Sequence, residues 1–413
     1  MTRPIPFLGF VSRTRRVTAA LAMLGGLALI GIAAAPAQAF SSFGSQSGHE
    51  MVTRAALACG ANGAPPDCFQ SAPDRGPSSI SLLAGRSFAP GSVEAPDAGA
   101  YGQLYYAANH CTGGDFNIIG ARTYGQTRAA GRANLLLCVR NVGFYMASAV
   151  QLAARLLSEV RANALPSCRY WVEYPSIVGT GTPITPGNPK CAVLNQLGRG
   201  LHTAQDFYAH ANWTDASLPG QNSTSNPPGL AQTGVPNFLR FTCSSSGTIR
   251  CSPLTETFPD KLITACPGPP ISFCINRISH STLNKDSGVI NPVTGVATSP
   301  SNSRGKIKGV NGVTNYQRAV TAAIAQTRAT WSDFAAALQA RYGPAQAQLM
   351  VRVLTCDKPA QPGTCPSGAL ATGGGSTSGV ADPALFGAGA AAVITGAGLL
   401  VFTRRWRGRA SQA

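Results

Sequence analysis

Apolar residues recur at helical spacing in five stretches of the chain, and polar segments separate these stretches from one another. A repeat of three to four residues places apolar side chains on one face of a helix. No stretch shows sustained alternation of apolar and polar positions, so we predict an all-α fold. The predicted helices cover residues 49–58, 128–163, 191–210 and 315–342, and a last helix after Gly343-Pro344 ends near Leu354.

The segments between these helices are long. Residues 60–100, 211–260 and 286–312 are rich in Gly, Pro, Ser and Asn, a composition that predicts loops. A further Gly-, Ser- and Pro-rich stretch, 361–383, is typical of a flexible linker. We therefore predict one multi-helix domain over residues 40–360, followed by a linker.

Both ends of the chain carry a long apolar run next to arginines. Residues 1–39 have a basic start without acids, an apolar run and a final Ala-Gln-Ala, which predicts a secretory signal peptide cleaved before Phe40. The uncharged segment 384–403 is long enough to span a bilayer as a C-terminal transmembrane helix. The arginine-rich tail 404–413 then belongs on the cytoplasmic side, which places residues 40–360 outside the cell.

Three alternatives to this topology remain open at the level of the sequence. Arg15-Arg16 before the first apolar run also permits twin-arginine export. Segment 384–403 is rich enough in Ala and Gly to form a buried core helix instead of a membrane span. The residues Leu370-Ala371-Thr372-Gly373 resemble a sorting signal for covalent cell-wall attachment, but they are one residue short of the usual pentapeptide.

The charge of the chain is strongly positive, with 33 Lys and Arg residues against 16 Asp and Glu residues and a formal net charge of +17. The two end segments carry four arginines each and no acid, so about half of this excess lies outside the predicted domain. The remaining cations are scattered, and no Lys/Arg run interleaved with aromatics predicts a specific nucleic-acid groove. A mildly basic exterior suits an anionic surface or a phosphate-bearing substrate.

All 12 cysteines lie between the two apolar runs. An even number in an exported chain predicts disulfide bonds that hold the long loops. No C-x-x-C pair occurs, which argues against a zinc ribbon or a thioredoxin-type centre. Near neighbours suggest four pairs and leave two more; the six are Cys59/Cys68, Cys243/Cys251, Cys266/Cys274, Cys356/Cys365, Cys111/Cys138 and Cys168/Cys191.

The segment with the most informative chemistry is Leu-His-Thr-Ala-Gln-Asp-Phe-Tyr-Ala-His-Ala-Asn-Trp, residues 201–213. Residues four apart lie on one face of a helix, so His202, Asp206 and His210 share a face, with the carboxylate between two imidazoles. Such a carboxylate can bridge two metal ions about 3.5–4 Å apart. The alternative is a solvated polar helix face, or a set of capping groups near the helix end.

The chain has only five histidines, so the other three also deserve inspection. Taken singly, each is typical of a surface or structural histidine. Together with the helix they provide five imidazoles and several carboxylates, a set of ligands that suits Zn²⁺. The oxygen-bearing neighbours are Glu50 beside His49, Asp115 after His110, and Asn284 and Asp286 after His280.

These blocks resemble a family. The segments 197–213, 48–57 (Gly-His-Glu-Met-Val-Thr-Arg-Ala-Ala-Leu) and 279–286 (Ser-His-Ser-Thr-Leu-Asn-Lys-Asp) are similar, in the same order, to the heterokaryon-incompatibility Het-C proteins and related secreted bacterial proteins. The wider superfamily contains zinc-dependent phospholipases C and single-strand-specific nucleases, which are helical, exported and hold three zinc ions. Their mature N-terminal amine is one of the metal ligands.

The resemblance implies a site with two or three zinc ions. It also implies a surface-anchored phosphodiester hydrolase of phospholipase C type, which the predicted membrane helix would hold near phospholipid headgroups. Asp206 would bridge metals, and Glu50, Asp115 or Asp286 would position the attacking water. The alternative is a non-catalytic surface recognition protein with a structural metal site. The implied metal ligands are His49, His110, His202, Asp206, His210 and His280.

Three positions depart from the pattern of the phosphodiesterases. Their second motif histidine follows the aspartate by six residues, whereas His210 follows Asp206 by four. Their mature chain begins with Trp, whereas the predicted mature chain begins with Phe40. Where they have a carboxylate four residues after the last histidine, this chain has Asn284, and Asp286 lies two residues further on. The residues therefore predict metal binding more directly than catalysis.

Overall fold

The computed structural model describes residues 40, 47–86, 89–98, 106–158, 165–168, 170, 187–267, 274–361 and 363–366. Nine α-helices lie within these ranges. The predicted signal peptide 1–39, most of the linker, the predicted transmembrane helix 384–403 and the tail 404–413 lie outside the described residues. The helices are α1 (Gly48–Leu57), α2 (Ser79–Ala84), α3 (Arg128–Ala153), α4 (Arg155–Ser158), α5 (Pro189–His210), α6 (His280–Leu283), α7 (Ser303–Lys306), α8 (Asn315–Tyr342) and α9 (Pro344–Thr355).

The long helices begin and end where the local sequence sets their boundaries. The side chain of Asn188 accepts a hydrogen bond from the Lys190 amide at the first turn of α5, and Pro189 occupies the first helical position. Gly343, with φ +81°, ends α8, and Pro344 begins α9. The five predicted helices are confirmed where the structure describes them, although the helix predicted for 128–163 breaks after Ala153 into α3 and α4. Its last predicted residues, 159–163, lie outside the described residues.

The all-α prediction is wrong, because the described residues also form three two-stranded antiparallel sheets. The partner of each strand follows it closely in sequence. Strands of two or three residues are too short to show the alternation of apolar and polar positions that marks a strand in a sequence. The pairs are β1 (Gly85–Arg86) with β2 (Ala89–Pro90), β3 (Phe241–Cys243) with β4 (Cys251–Pro253), and β5 (Val289–Ile290) with β6 (Ala297–Thr298).

The three predicted loops are correspondingly more ordered than their composition suggests. Each contains one of the small sheets, and the first also contains α2 and the 3₁₀ helix Ser92–Ala98. The third contains α7. Gly and Pro in these segments lie largely at turns between short elements, which is why composition alone predicted loops.

Helix α5 lies at the centre of the fold, and all of its residues are buried. It packs most extensively against α3, and also against the 3₁₀ helix Ser92–Ala98 and α8. Gly198 makes the approach of the 3₁₀ helix possible, because a Cβ at this position would lie 2.1 Å from the Ser92 hydroxyl oxygen. The close approach brings Ser92–Ala98 directly against the central helix.

Six disulfides hold the loops to this helical core, and they are the six pairs that the spacing suggested. No free cysteine occurs among the described residues. Each unstrained bridge over a short loop stabilises a protein by about 2–4 kcal/mol. The disulfides are typical of an extracytoplasmic protein.

One helical stretch of the described chain, Arg128–Ser158, is long and apolar enough to cross a membrane by length and composition alone. Of its most apolar window, however, 61% is buried inside the protein. Helix α3 provides the largest helix surface packed on α5, as expected of a core helix. The structure therefore gives this stretch a packing role.

Candidate metal centre

Helix α5 presents His202, Asp206 and His210 on one face, as the spacing predicted, but that face points into the protein. The three residues are between 0 and 1% exposed. The solvated-face alternative is therefore wrong. Buried polar groups require partners, and the identity of those partners decides what this face can do.

The carboxylate of Asp206 lies among three imidazoles. Its Oδ2 atom is 2.8 Å from His110 Nδ1 and 3.2 Å from His202 Nε2. Its Oδ1 atom is 3.0 Å from His49 Nε2. Helix α1, the turn before α3 and helix α5 thus each contribute an imidazole to one carboxylate.

Asp97 is a second carboxylate in this group, and no motif or spacing in the sequence predicted it. Its Oδ1 atom lies 3.6 Å from both His110 Nδ1 and His202 Nε2, and its Oδ2 atom lies 3.9 Å from His49 Nε2. Asp97 belongs to the 3₁₀ helix that Gly198 admits against α5. We call His49, Asp97, His110, His202 and Asp206 the inner cluster.

Two hydrogen bonds orient the histidines of the inner cluster. The Nδ1 atom of His49 donates to Gln205 Oε1 at 2.7 Å, and Nδ1 of His202 donates to the Val93 carbonyl at 2.9 Å. Gln205 is itself fixed, since its Nε2 atom donates to the hydroxyls of Thr53 and Thr327 at 3.0 Å each. In both histidines the bond at Nδ1 leaves Nε2 facing the carboxylates. Metal-binding histidines are typically held in this way, with a hydrogen bond at the ring nitrogen that does not bind the metal.

His110 owes its position to the residues on either side of it. Cys111 forms a disulfide with Cys138, which attaches the turn to α3. The side-chain oxygen of Asn109 accepts hydrogen bonds from Asn141 at 2.9 Å and from Tyr145 at 3.2 Å. These anchors place the imidazole over α5 without any regular secondary structure at His110.

A second group, the outer cluster, consists of His210, His280 and Asp286. His210 Nε2 lies 3.2 Å from Asp286 Oδ1 and 2.7 Å from His280 Nε2, and His280 Nε2 lies 3.7 Å from Asp286 Oδ2. Asp286 therefore faces both imidazoles; the Asn284 side chain accepts a hydrogen bond from the Asp286 amide, and its Nδ2 atom lies 3.5 Å from His280 Nδ1. His280 is 9% exposed and Asp286 5%, so this cluster lies nearer to solvent than His202 and Asp206.

The electrostatics of the inner cluster favour an ionised Asp206. Burial alone would raise the pKa of this carboxyl, but His202, His49 and the hydrogen bond from His110 hold it well below its usual range. Burial lowers the pKa of His49, but the carboxylates of Asp206 and Asp97 outweigh that effect and raise it to about 9. Burial lowers the pKa of His202.

In the outer cluster the pKa values of the histidines are lowered, in contrast to that of His49. Burial lowers the pKa of His210 to about 4, and burial together with neighbouring His210 lowers that of His280 to about 4. Both imidazoles are therefore neutral at physiological pH, which is the form that binds metal. Burial raises the pKa of Asp286 to about 7, although nearby His280 lowers it.

Several of these atoms face one another without hydrogen-bond geometry. Within the described part of the chain, His49 Nε2, Asp206 Oδ1 and Asp286 Oδ1 are buried and make no hydrogen bond. Such orphaned nitrogen and oxygen atoms are what a metal ion needs as ligands. Three groups can hold an ion, and the first two share His202: His49 with Asp97 and His202, His110 with His202 and Asp206, and His210 with His280 and Asp286.

Two sequence candidates lie apart from both clusters. Glu50 is 1% exposed, but its carboxylate accepts a hydrogen bond from Arg54 at 2.8 Å and lies 3.5 Å from Arg75. Asp115 pairs with Arg277 and accepts a hydrogen bond from Tyr124 at 2.8 Å. Of the three carboxylates predicted to position water, only Asp286 faces the imidazoles.

Phe40, the predicted first residue of the mature chain, lies beside the inner cluster. Its ring packs edge-on against His49, with 5.8 Å between the ring centroids. Gly48 permits this approach, because a Cβ at position 48 would lie 2.2 Å from the Phe40 carbonyl oxygen. The backbone of Phe40 is therefore close to the start of α1, one residue from a cluster histidine.

Comparison of the chain with protein-family models, with curated proteins and with solved structures finds no match. The function is therefore inferred from the side chains of the two clusters and their surroundings.

Proposed function

We propose that this protein is an exported, zinc-dependent phosphodiester hydrolase of phospholipase C type. The observation that carries the proposal is the arrangement on α5, where one buried helix face joins two clusters of imidazoles and carboxylates with orphaned ligand atoms. Structural polar networks in protein interiors satisfy nearly all of their donors and acceptors. In these clusters, by contrast, His49 Nε2, Asp206 Oδ1 and Asp286 Oδ1 make no hydrogen bond within the described part of the chain.

The donor set favours zinc over other common metals. Eight side chains offer imidazole nitrogen and carboxylate oxygen, a mixture typical of zinc sites, whereas magnesium and calcium prefer oxygen alone. Zinc ions in such a site supply Lewis-acid polarisation of a phosphoryl oxygen and lower the pKa of water. His49, Asp97, His110, His202 and Asp206 would hold metal in the inner cluster, and His210 and His280 would hold it in the outer cluster, with Asp286 beside them.

The residues themselves suggest a division of roles. Asp206 presents one oxygen to His49 and the other to His110 and His202, so it can bridge two cations and neutralise both. Asp286 faces both imidazoles of the outer cluster, so its carboxylate can orient a water molecule beside them and accept its proton. The resemblance to secreted phosphodiesterases supports a phosphodiester as substrate.

The N-terminus is part of the same proposal. Cleavage before Phe40 would create an α-amine next to His49, where the related enzymes use their N-terminal amine as a ligand. The packing of Phe40 against His49 supports this assignment. A chain that retains extra residues before Phe40 should bind less zinc than the processed chain, as elemental analysis of the two forms can show.

A second candidate function has its own observation. The inner cluster is almost completely buried, with exposures of 0–5%, so a metal there can stabilise the fold without meeting a substrate. A non-catalytic surface protein with a structural metal site would have this property. The difference between the candidates lies in the outer cluster, which is closer to solvent.

Hydrolysis assays separate the two candidates. The zinc-loaded protein is incubated with phosphatidylcholine vesicles and with bis-(p-nitrophenyl) phosphate, and released phosphocholine and nitrophenol are measured. An enzyme should lose activity with a chelator and regain it with zinc. Asp286→Asn should lower turnover by at least about 100-fold, as expected for the loss of a general base. Glu50→Gln is the matched control and should keep its activity if it folds.

Zinc binding without hydrolysis of either substrate would favour the structural candidate. In that case, chelation should still lower the melting temperature, because bound metal stabilises only the folded state.

Attachment to the cell surface is the remaining part of the proposal, supported by the disulfides and by the arginine-flanked segment 384–403. Protease treatment of intact cells should remove the domain over residues 40–360. Protection in intact cells, with digestion after lysis, would contradict this orientation.

A further inference from the structure

Among the described residues, one large apolar side chain stands almost entirely in solvent. Val310 is 98% exposed, whereas the other exposed large apolar side chains in the described ranges are 45–65% exposed. Scattered, partly exposed apolar residues are normal on soluble proteins. A fully exposed valine at the tip of an ordered turn is unusual, and burying it would require contact with another molecule.

The turn that displays Val310 is well built. Gly309 donates to the Val313 carbonyl at 3.0 Å, and Gly312 donates to the Gly309 carbonyl at 2.9 Å. The side-chain oxygen of Asn311 accepts from Arg318 of α8 at 3.1 Å, which attaches the turn to a long helix. Val310 is thus held outward by a fixed scaffold.

The surroundings of Val310 are basic. Lys306 and Lys308 precede it, and both are exposed. No aspartate or glutamate occurs between Asp286 and Asp333, while this stretch contains five Lys and Arg residues. Of these, Arg304 is neutralised internally by Asp215 at 2.7 Å. We call residues 306–314 the Val310 turn.

The Val310 turn is connected to the outer cluster through helix α7. Helix α7, which leads directly into it, packs against α6, the helix that begins at His280. The Ser287 amide, next to Asp286, donates to the Asn302 side chain at 2.9 Å, and Asn302 caps α7. The more accessible part of the metal centre and the exposed valine are therefore joined by adjacent segments.

A second apolar turn lies along the same acid-free stretch. The β5–β6 hairpin exposes Val289, Val293 and Val296 at 45–52%. The Ala297 amide of this hairpin donates to Gln317 at 2.6 Å, one residue before Arg318 on α8. Both turns are thus tied to the beginning of the same helix.

We propose that the Val310 turn docks the protein on an anionic phospholipid surface, with Val310 inserted between headgroups and Lys306 and Lys308 bound to lipid phosphates. The combination of an exposed aliphatic tip and flanking cations matches what holds proteins at such surfaces. A nucleic acid would use the cations but has no partner for an aliphatic tip, and the turn offers no aromatic side chain for bases to stack on. The docking surface deepens the proposed function, since docking would bring the protein that carries the outer cluster to a surface made of phosphodiesters.

Hydrogen–deuterium exchange of the full chain tests this assignment without measuring activity. The chain is mixed with vesicles of phosphatidylcholine alone or with 40% phosphatidylglycerol, and exchange is followed in peptides that cover residues 306–312. Anionic vesicles should slow exchange there about tenfold, and neutral vesicles should not. High salt should remove the protection, since exposed charges are screened at about 3 Å in 1 M salt.

Three variants sharpen the result. Val310→Asp should abolish the protection, and Lys306→Gln with Lys308→Gln should weaken vesicle binding by about 30-fold, roughly fivefold for each cation. Leu254→Asp, which places the same charge at another exposed aliphatic residue (54% exposed), should leave the protection of 306–312 unchanged. All four substitutions lie at exposed positions, so folding is expected to survive and is checked by the melting temperature.

Equal protection by neutral and anionic vesicles would overturn the proposal, as would wild-type protection in Val310→Asp. Protection by a single-stranded oligonucleotide but not by vesicles would also overturn it and assign the turn to nucleic acid. Docking is independent of hydrolysis in this design, so docking without activity would remove only the proposed enzymatic function. Activity without docking would contradict only the docking role of the Val310 turn.

Discussion

Helix α5 buries an ionisable residue near each of its ends, Lys190 and Asp206, and the two differ in how well their polar atoms are hydrogen-bonded. Lys190, in the first turn, is 0% exposed and donates hydrogen bonds to Ser79 Oγ at 2.9 Å and to the Cys356 carbonyl at 2.8 Å. Ser79 in turn donates to Asp357 at 2.7 Å. This lysine is a structural link between α5, α2 and the segment after α9.

Asp206, in the last turns, is equally buried, but among the described residues only its Oδ2 atom is hydrogen-bonded, to His110 at 2.8 Å. Its Oδ1 atom makes no hydrogen bond within the described part of the chain, although it lies 3.0 Å from His49 Nε2. A buried charge with an unsatisfied oxygen is costly unless a cation compensates it. The comparison shows that burial alone does not identify a functional polar residue; the unsatisfied atoms around Asp206 do.

The largest loss of zinc affinity is expected when Asp206 is replaced. Asp206→Asn keeps the shape of the side chain but removes the charge shared by three imidazoles. Zinc affinity should fall by more than the roughly 10–100-fold that changes in outer-shell residues cause. Competition with a zinc chelator of known affinity measures the change.

The matched control is Lys190→Met at the other end of the same helix. It leaves two hydrogen-bond acceptors unpaired and should cost about 1–3 kcal/mol of folding free energy. Its zinc affinity should equal that of the wild type. A similar loss of zinc in both variants would mean that Asp206 acts through folding and not as a ligand.

A smaller loss of zinc affinity is expected at Gln205, which bonds His49 at Nδ1, the ring nitrogen that points away from the carboxylates. Gln205→Leu removes the acceptor that fixes the His49 ring, so zinc affinity should fall by about 10–100-fold. Gln326→Leu is the control, since Gln326 is also fully buried and bonds Tyr208 and the Leu239 carbonyl, away from the cluster histidines. Isothermal titration with zinc should separate the two; equal losses would contradict a positioning role for Gln205.

The titration of Lys190 should have the smallest effect on zinc binding. Its effect is expected in the pH dependence of the folding free energy instead. Burial lowers the pKa of Lys190 from 10.5 to about 7. Between these values the unfolded chain holds a proton that the folded chain lacks, so stability rises with pH there and is lost as pH falls through 7.

Urea unfolding of the disulfide-intact, chelator-treated chain at pH 6–10 checks this expectation. The free energy difference between wild type and Lys190→Met should move in favour of the wild type as pH rises. A difference that is constant across this range would contradict the lowered pKa.

Part of this centre could be predicted because it depends on local periodicity. His202, Asp206 and His210 share a face on any helix, and the rarity of histidine in the chain drew attention to His49, His110 and His280. The disulfide pairs were predictable for a similar reason, since cysteines close in sequence are readily brought together. The helices followed from apolar spacing.

The rest depends on tertiary contacts that leave no local pattern. Asp97 lies in a short 3₁₀ helix without periodicity, and it reaches the cluster because Gly198 lets two backbones approach. Glu50 is adjacent to His49 in sequence, but successive residues of a helix point about 100° apart, and its carboxylate meets Arg54 instead. The short strands were missed because two or three residues cannot show alternation.

The most direct test of the account is the metal content of the purified, disulfide-intact chain after expression with zinc. Mass spectrometric elemental analysis should find two or three equivalents of zinc per chain, and about one fewer in His202→Ala. Less than about half an equivalent of any transition metal in the wild type would contradict a metal centre on α5 and remove the proposed hydrolase with it.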